Sequence, residues 1–279
     1  MSNTKQETRS IELEVRVNAP VETVWRAFAE PEQLANWFPL RASGSQGKGG
    51  KVTLSWGTTG DWTTTIDEWV PNEHIRWVDP PAAEGLPPTA IDFRLEADGG
   101  STIVRLVHSG FSAAADWDEM YDATKGGWTY FLYNLQHYME WHPDTPREMI
   151  WVRRPTTRTP DDVWKEILGS NGLGIDPEVN SIAPGQQYRF NALGEPVVGK
   201  VHLVNPPVQF AGTADSLEDG LLFVELEPGR ERRHVGIWLS TYGLKAERVA
   251  GLRTSLESLA DRIFGVETKK EEGTEKKAR

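Results

Sequence analysis

From Lys51 to Ser109 the chain runs through five stretches in which apolar and polar residues alternate, with only turn chemistry between them. The stretches are KVTLSW, DWTTTIDEWV, HIRWVD, TAIDFRLEA and STIVRLVHS, and the separators are GTTG, PNE, PPAAEGLPP and DGG. Alternation at a period of two sends successive side chains to opposite faces of a strand. Connections this short join antiparallel neighbours, whereas parallel strands need helical crossovers. The segment therefore reads as an antiparallel meander, and the rest of the first half must be arranged around that sheet.

Upstream, IELEVRVNA (Ile11 to Ala19) has the pattern of one more half-buried strand. PVETVWRAFAEPEQLANWF follows as two short helices broken at Pro31, with Pro20 suited to a first helical turn and Val21, Val24, Trp25 and Phe28 on one face. ASGSQGKGG reads as a flexible connection; it lacks the GxxxxGK[ST] spacing of a phosphate-binding loop. Downstream, ADWDEMYDATKGG opens a long helix, with Asp116 as N-cap and Glu119 completing a capping box, and HPDTP ends it. Trp128, Phe131, Leu132, Leu135, Tyr138 and Met139 recur at spacings of three and four, so they share a buried face. Gly126 and Gly127 interrupt that helix, each at a cost of about 1 kcal/mol relative to alanine.

The second half repeats this order. REMIWVRRP reads as a strand and TPDDVWKEILG as a helix in which Trp164 echoes Trp25. QYRFNA, EPVVGKVHLV, GLLFVELE and RRHVGIWLST are strand-like, and KAERVAGLRTSLESLADRIFG closes as a helix with Val249, Leu252, Leu256, Leu259 and Ile263 on one face. The expected architecture is α+β in tandem: one domain over residues 1–145, a second over 146–265, and a charged tail, 266–279, without the apolar residues to order it.

Composition narrows the function classes. A net charge of −11 disfavours nucleic acid and anionic membrane as partners, because their phosphates would repel the average surface. The basic runs RRPTTR (Arg153, Arg154, Arg158) and RERRH (Arg230 to His234) read as solvated strand ends or turns rather than anion sites. Without cysteine there are no disulfides, thiolate nucleophiles or thiolate metal sites. The polar MSNTKQETRS start lacks the apolar core of a signal peptide, and no run approaches the roughly 18 apolar residues that span a bilayer. A cytoplasmic location is expected. Of the twelve tryptophans, nine precede residue 145, so the first half has either an aromatic core or an aromatic-lined cavity.

APVETVWRAFAEPEQLANWF, HSGF (His108 to Phe111) and GGWTYFLYNLQHYME occur in an order that resembles the heat-shock-protein-90 ATPase activator homologue-like family of the START-like (SRPBCC) superfamily. The resemblance covers residues 11 to 141, and TPDDVW with the closing helix suggests a divergent second copy. It implies a helix-grip fold, in which a curved antiparallel sheet wraps a long C-terminal helix, with an apolar cavity between them. It also suggests why Gly126 and Gly127 are kept. A gripped helix has a crowded side, and glycine lets backbone approach there; tight packing is the expected reason, ahead of a ligand-facing notch.

Catalytic and metal motifs are weak. His137 and His142 are five apart, which is not one helical face, and HYMEWH is not HExxH, so no metal or other cofactor is expected. Asp67 and Glu68 are adjacent on a strand and point apart, Asp92 alternates with Ile91 and Phe93 and so faces water, and no GxSxG elbow is present. His108 shares a face with Val104 and Leu106, where a hydrogen-bonded structural histidine is the plainer reading and a ligand contact the sharper one. Trp37, Trp56, Trp77, Phe93, His108 and Trp128 come from separate elements that this fold would bring together, and they are the candidate ligand-binding residues. Trp62 and Trp69 cannot share a face without a bulge, since their separation is odd. The expected function is non-catalytic binding of a hydrophobic or aromatic small molecule. The alternatives are a cyclase, dehydratase or hydrolase of the kind the superfamily also contains, and a protein partner, either a chaperone ATPase that this chain activates or pairing of the two domains within the chain.

Overall fold

A computed structural model of the chain describes residues 7–81, 88–175, 181–191, 194–227, 229 and 233–265. The charged tail 266–279 and Arg230 to Arg232 of the second basic run lie outside the described residues. The chain divides into two compact units. The first comprises Met1–Met149, Glu218–Leu221 and Ser240–Leu244; the second comprises Ile150–Leu217, Leu222–Leu239 and Lys245–Arg279. The fold is α+β, with two tandem helix-grip units.

The first unit starts with β1 (Thr8–Val17), α1 (Val21–Ala29), α2 (Pro31–Leu34), β2 (Arg41–Gly44) and β3 (Lys51–Ser55). It continues through β4 (Asp61–Val70), β5 (His74–Asp79), β6 (Thr89–Asp98) and β7 (Ser101–Ser112) to the long helix α3 (Asp118–Trp141). Its seven strands lie in the order β1-β7-β6-β5-β4-β3-β2. The meander supplies consecutive neighbours, and β1 returns to pair with the last strand. Ile11, Ile75, Trp77, Phe93 and Leu106 from the sheet's inner face bury against Trp128, Leu132 and Leu135 of α3 in one core.

Four details depart from the sequence expectations. The glycine-rich connection is an ordered hairpin: Arg41–Gly44 pairs with Val52–Ser55, and Gly49 N–H donates to the Ile66 carbonyl at 2.8 Å. Gly44 has φ +149°, and a Cβ there would stand 2.1 Å from the Lys51 carbonyl oxygen, so only glycine fits the turn. The register of β4 against β5 shifts between Ile66 and Glu68. That bulge changes the parity, so Trp69 opposite Ile75 faces inward as Trp62 does. Asp116 does not cap α3: the helix begins at Asp118 with Trp117 before it and no side-chain cap, and Asp118 instead meets Arg9 at 2.6 Å. At Gly127 a Cβ would find no atom within 4 Å, so close packing is not what keeps that glycine.

The second half of the chain follows the same order with β8 (Arg147–Thr156), α4 (Pro160–Leu168), β9 (Gln187–Phe190), β10 (Val197–Asn205), β11 (Gln209–Ala214), β12 (Gly220–Glu227), β13 (Arg233–Tyr242) and α5 (Ala246–Phe264), the start of β8, the start of β12 and the end of β13 counting with the first unit. Its six-stranded sheet runs β8-β13-β12-β11-β10-β9, again with the first strand beside the last. Thr159 caps α4 by accepting from Asp162 N–H at 3.2 Å. All five residues expected on the inner face of α5 are buried. Arg153 forks onto Glu227, Arg154 meets Asp261 at 2.7 Å and Arg158 lies 3.9 Å from Glu166, so the RRPTTR guanidiniums are committed to carboxylates. No helix among the described residues is long and apolar enough to cross a membrane.

Candidate ligand site

Strand pairing sets the floor of the site. Ile66, Trp77, Ile91, His108 and Ile11 stand in register across β4, β5, β6, β7 and β1, a single row on the inner face. The roof is α3, which brings Trp128 over that row. Trp128 Nε1–H donates to His108 Nδ1 at 3.0 Å. Burial pushes His108 down to about 4, so its ring is neutral at neutral pH, and because Nδ1 accepts, the proton sits on Nε2.

The centre is held by a residue that sequence reasoning did not single out. Phe38 lies on the connection between α2 and β2, is 4% exposed, and its ring contacts those of Trp37, Trp56, Trp77, Trp128 and Phe131 at centroid distances of 4.8 to 6.5 Å. Phe93 joins through Trp77 at 5.0 Å and Trp128 at 5.8 Å. All six candidate residues are thus brought into one network, though not as walls around a space: in this structure they pack on one another, with Phe38 between them. Trp37 is fully buried and donates Nε1–H to the Ala27 carbonyl at 2.9 Å; Trp56 is only partly buried. Periodicity could not have found Phe38, because a connection has no period. The available signal was a large apolar side chain, next to Trp37, where a polar loop residue would be ordinary.

The connection bearing Phe38 is clamped by side chains. Tyr242 donates to the Asn36 carbonyl at 3.2 Å, Asn134 Nδ2 to the Trp37 carbonyl at 2.7 Å, and Arg147 Nη2 to the Phe38 carbonyl at 3.4 Å and to that of Pro39. Four consecutive carbonyls are therefore satisfied from three distant points of the chain. Tyr242 also donates to Asn134 Oδ1 at 3.2 Å, and its ring belongs to the first unit's core.

One strand position further along, the inner face turns polar. Asp79 follows Ile75 and Trp77 on the same side of β5 and is 6% exposed. Its Oδ1 accepts from Trp62 Nε1–H at 3.0 Å, and Thr64 lies beside it on β4. Burial pushes the Asp79 carboxyl up, against the opposing pull of the neighbouring Thr64 hydroxyl, which itself donates to the Val78 carbonyl at 3.3 Å, and of Trp62. Asp79 was also missed, although the alternation Ile75, Trp77, Asp79 would have placed it inward.

Two further expectations are corrected. Asp92 is on the outer face, as its alternation required, but it is only 8% exposed, because His74 Nε2 lies 2.7 Å from it and Arg76 3.7 Å. His137 and His142 converge after all: α3 ends at Trp141, His142 leaves helical geometry at φ −131° and ψ 35°, and both Nε2 atoms reach the Asp219 carbonyl oxygen. Each donates to that acceptor, so they form a structural clasp. Among the described residues no group of three or more His, Asp or Glu side chains is arranged to hold a metal.

Residues 18–140 match the family model for Activator of Hsp90 ATPase homolog 1-like protein. That part of the chain, less than half of it, is similar to this family. The matched span takes in Phe38, Asp79, His108 and Trp128 together. No curated protein matches the chain in sequence. Among solved structures, DynU16 from the dynemicin biosynthetic locus is similar over 90% of this chain and 95% of its own, at 19% identity and a TM-score of 0.42. CalU16 from Micromonospora echinospora is similar over 48% of this chain and 78% of its own, at 27% identity and a TM-score of 0.40. The Aha1 dimer from Colwellia psychrerythraea is similar over 47% of this chain and 96% of its own, at 23% identity and a TM-score of 0.42.

Proposed function

We propose that the first unit binds an aromatic small molecule between its sheet and α3 without transforming it, and that it does so in the cytoplasm. The observation that carries this reading is Phe38. A ring borne on a connection, and not on the sheet or helix, is set among five other rings, each from 4.8 to 6.5 Å away. Such a ring has the environment of an aromatic guest, and movement of the connection would exchange it for one. The neutral His108 ring and the indoles supply a few polar groups in an otherwise apolar setting, the usual composition of a small-molecule site. Asp79 and His108 are not hydrogen-bonded to each other, and neither is paired with a nucleophile, which favours binding over acid–base chemistry.

Titration with naphthalene tests the proposal. The indoles beside Phe38 should report the guest as a change in tryptophan fluorescence. Phe38→Ala should bind naphthalene more tightly than the wild type does, because an apolar cavity of ring size accepts an aromatic guest. If neither protein responds, and the wild type instead raises the rate of a heat-shock-protein-90 ATPase, the partner is a protein and the small-molecule reading fails.

A further inference from the structure

The first unit's inner indoles are not equivalent. Trp37, Trp62 and Trp128 each donate Nε1–H to an acceptor, respectively the Ala27 carbonyl, Asp79 Oδ1 and His108 Nδ1. Trp77, fully buried on β5, has no partner for its Nε1–H. Two residues on, along the same inward face, Asp79 is 6% exposed, and its Oδ2 likewise has no partner. Buried polar atoms are nearly always satisfied, and an unsatisfied one costs the fold its full desolvation penalty. Here there are two, of opposite character, adjacent on one strand face and bordering the aromatic network.

We propose that Trp77 and Asp79 form the polar end of the ligand site, and that they select an aromatic molecule carrying a hydroxyl group. The assignment rests on the binding reading above. Asp79 Oδ2 takes the hydroxyl's hydrogen and Trp77 Nε1–H gives one to its oxygen. Trp62, by holding Oδ1, fixes the direction in which Oδ2 points. Phe38 and Phe93, which contact the Trp77 ring at 6.5 and 5.0 Å, mark where the aromatic body of the ligand lies. A ligand without the hydroxyl leaves both atoms unsatisfied, and that mismatch is what discriminates.

Three probes separate the contributions: naphthol, methoxynaphthalene, which keeps the oxygen but cannot donate, and naphthalene, which has neither function. Calorimetric titration of the full chain should show naphthol bound roughly ten-fold or more tightly than methoxynaphthalene. Asp79→Asn keeps the acceptor for Trp62 but turns the ligand-facing oxygen into a donor; naphthol should lose its advantage there. Trp77→Phe keeps a ring and removes the N–H; methoxynaphthalene should then bind no better than naphthalene. Equal affinities for naphthol and methoxynaphthalene in the wild type would overturn the subsite and leave the binding reading standing, as would an unchanged ratio in a folded Asp79→Asn. If none of the three probes binds the wild type, the binding reading itself falls and the subsite with it.

Discussion

The two sheets have the same strand order and differently filled interiors. In each, the first strand pairs with the last and the remainder follow in descending sequence. In the first unit the inner side of the last strand carries Val104, Leu106 and then His108, under a tryptophan of α3. In the second, the inner side of the last strand carries Val235, Ile237 and Leu239, and Val235 packs with Val163 of α4 and Leu226 of β12. The second unit buries rings too, with Tyr188 against Phe190 and Phe210 at 6.0 and 5.2 Å, so the contrast lies at the last strand, where the first unit sets a histidine under an indole. The topology is therefore common to both units, while the filling beside the last strand differs. Burial also shifts one buried base in the first unit and one acid in the second. Burial pushes His108 of the first unit down to about 4, whereas in the second Glu225, which accepts from Trp238 Nε1–H at 2.8 Å, is pushed up to about 8 by burial and by Glu227.

The largest test of this contrast is to separate the halves. A fragment ending at Asp144 would lack Tyr242, a buried member of the first unit's core that bonds to Asn36 and Asn134. It would also lose the Asp219 carbonyl that receives His137 and His142. Thermal and denaturant unfolding of Met1–Asp144 should show a loss of at least about 3–5 kcal/mol against the first unit in the intact chain, the scale of deleting a buried aromatic side chain. A fragment as stable as the intact unit would show that the boundary near residue 145 is complete and that Tyr242 is dispensable. Next in size is Phe38→Ala in the full chain, expected to cost about 3–5 kcal/mol in the absence of any guest. Naphthalene should return part of that as a rise in Tm.

Acid should weaken the first unit through His108 and alkali the second through Glu225, although Asp79 of the first unit, also raised by burial, acts in the alkaline direction. His108 has a folded pKa below the unfolded value of 6.5, so between pH 6.5 and about 4 the unfolded chain binds the extra proton. Its contribution is present above pH 6.5 and is lost on the way down to 4, on the order of 3 kcal/mol from that shift. Glu225 is the reverse: its folded pKa is raised from 4.5 to about 8, so stability present below pH 4.5 is lost as pH rises towards 8. Its side chain keeps some contact with water, so the loss is smaller than full burial would give. Unfolding followed across pH should flatten on the acid side in His108→Gln and on the alkaline side in Glu225→Gln. Flattening of the same limb by both substitutions would defeat the contrast. The smallest effect is at Gly127, where a Cβ meets nothing within 4 Å; Gly127→Ala should stabilise by about 0.4–1 kcal/mol, and a lower Tm would revive the close-packing account.

Much of the fold was legible because alternation is a local property. Five stretches between Lys51 and Ser109 became β3 to β7 in that order, and the faces of α3 and α5 followed from spacings of three and four. Alternation put Trp62 and Trp69 on opposite faces unless a bulge intervened, and only the pairing of β4 with β5 shows that one does, between Ile66 and Glu68. Trp77, Phe93 and His108 could be gathered because strand order determines which inner faces meet, whereas Trp37, Trp56 and Trp128 lie off the strands and were gathered by the resemblance to a helix-grip fold. Phe38 and Tyr242 could not be found this way. One sits in a connection, and the other comes from the last strand of the second sheet, more than a hundred residues from Asn134. Their roles depend on long-range closure, which no local pattern encodes.

The clamp on Asn36 to Pro39 has a consequence for how the protein is made. Its donors enter the chain in the order Asn134, Arg147, Tyr242, all long after the connection they hold. A ribosome releases these residues in sequence, and contacts of such wide separation form late. The sheet and α3 can assemble while the second half is still being translated, with the Asn36 side chain already held by Tyr138 at 3.0 Å and by Arg147 N–H at 3.1 Å, and only the Asn36 carbonyl waits for Tyr242. Tyr242, on one of the last strands to be synthesised, then adds the final hydrogen bond to a connection that Asn134 and Arg147 already hold around Phe38.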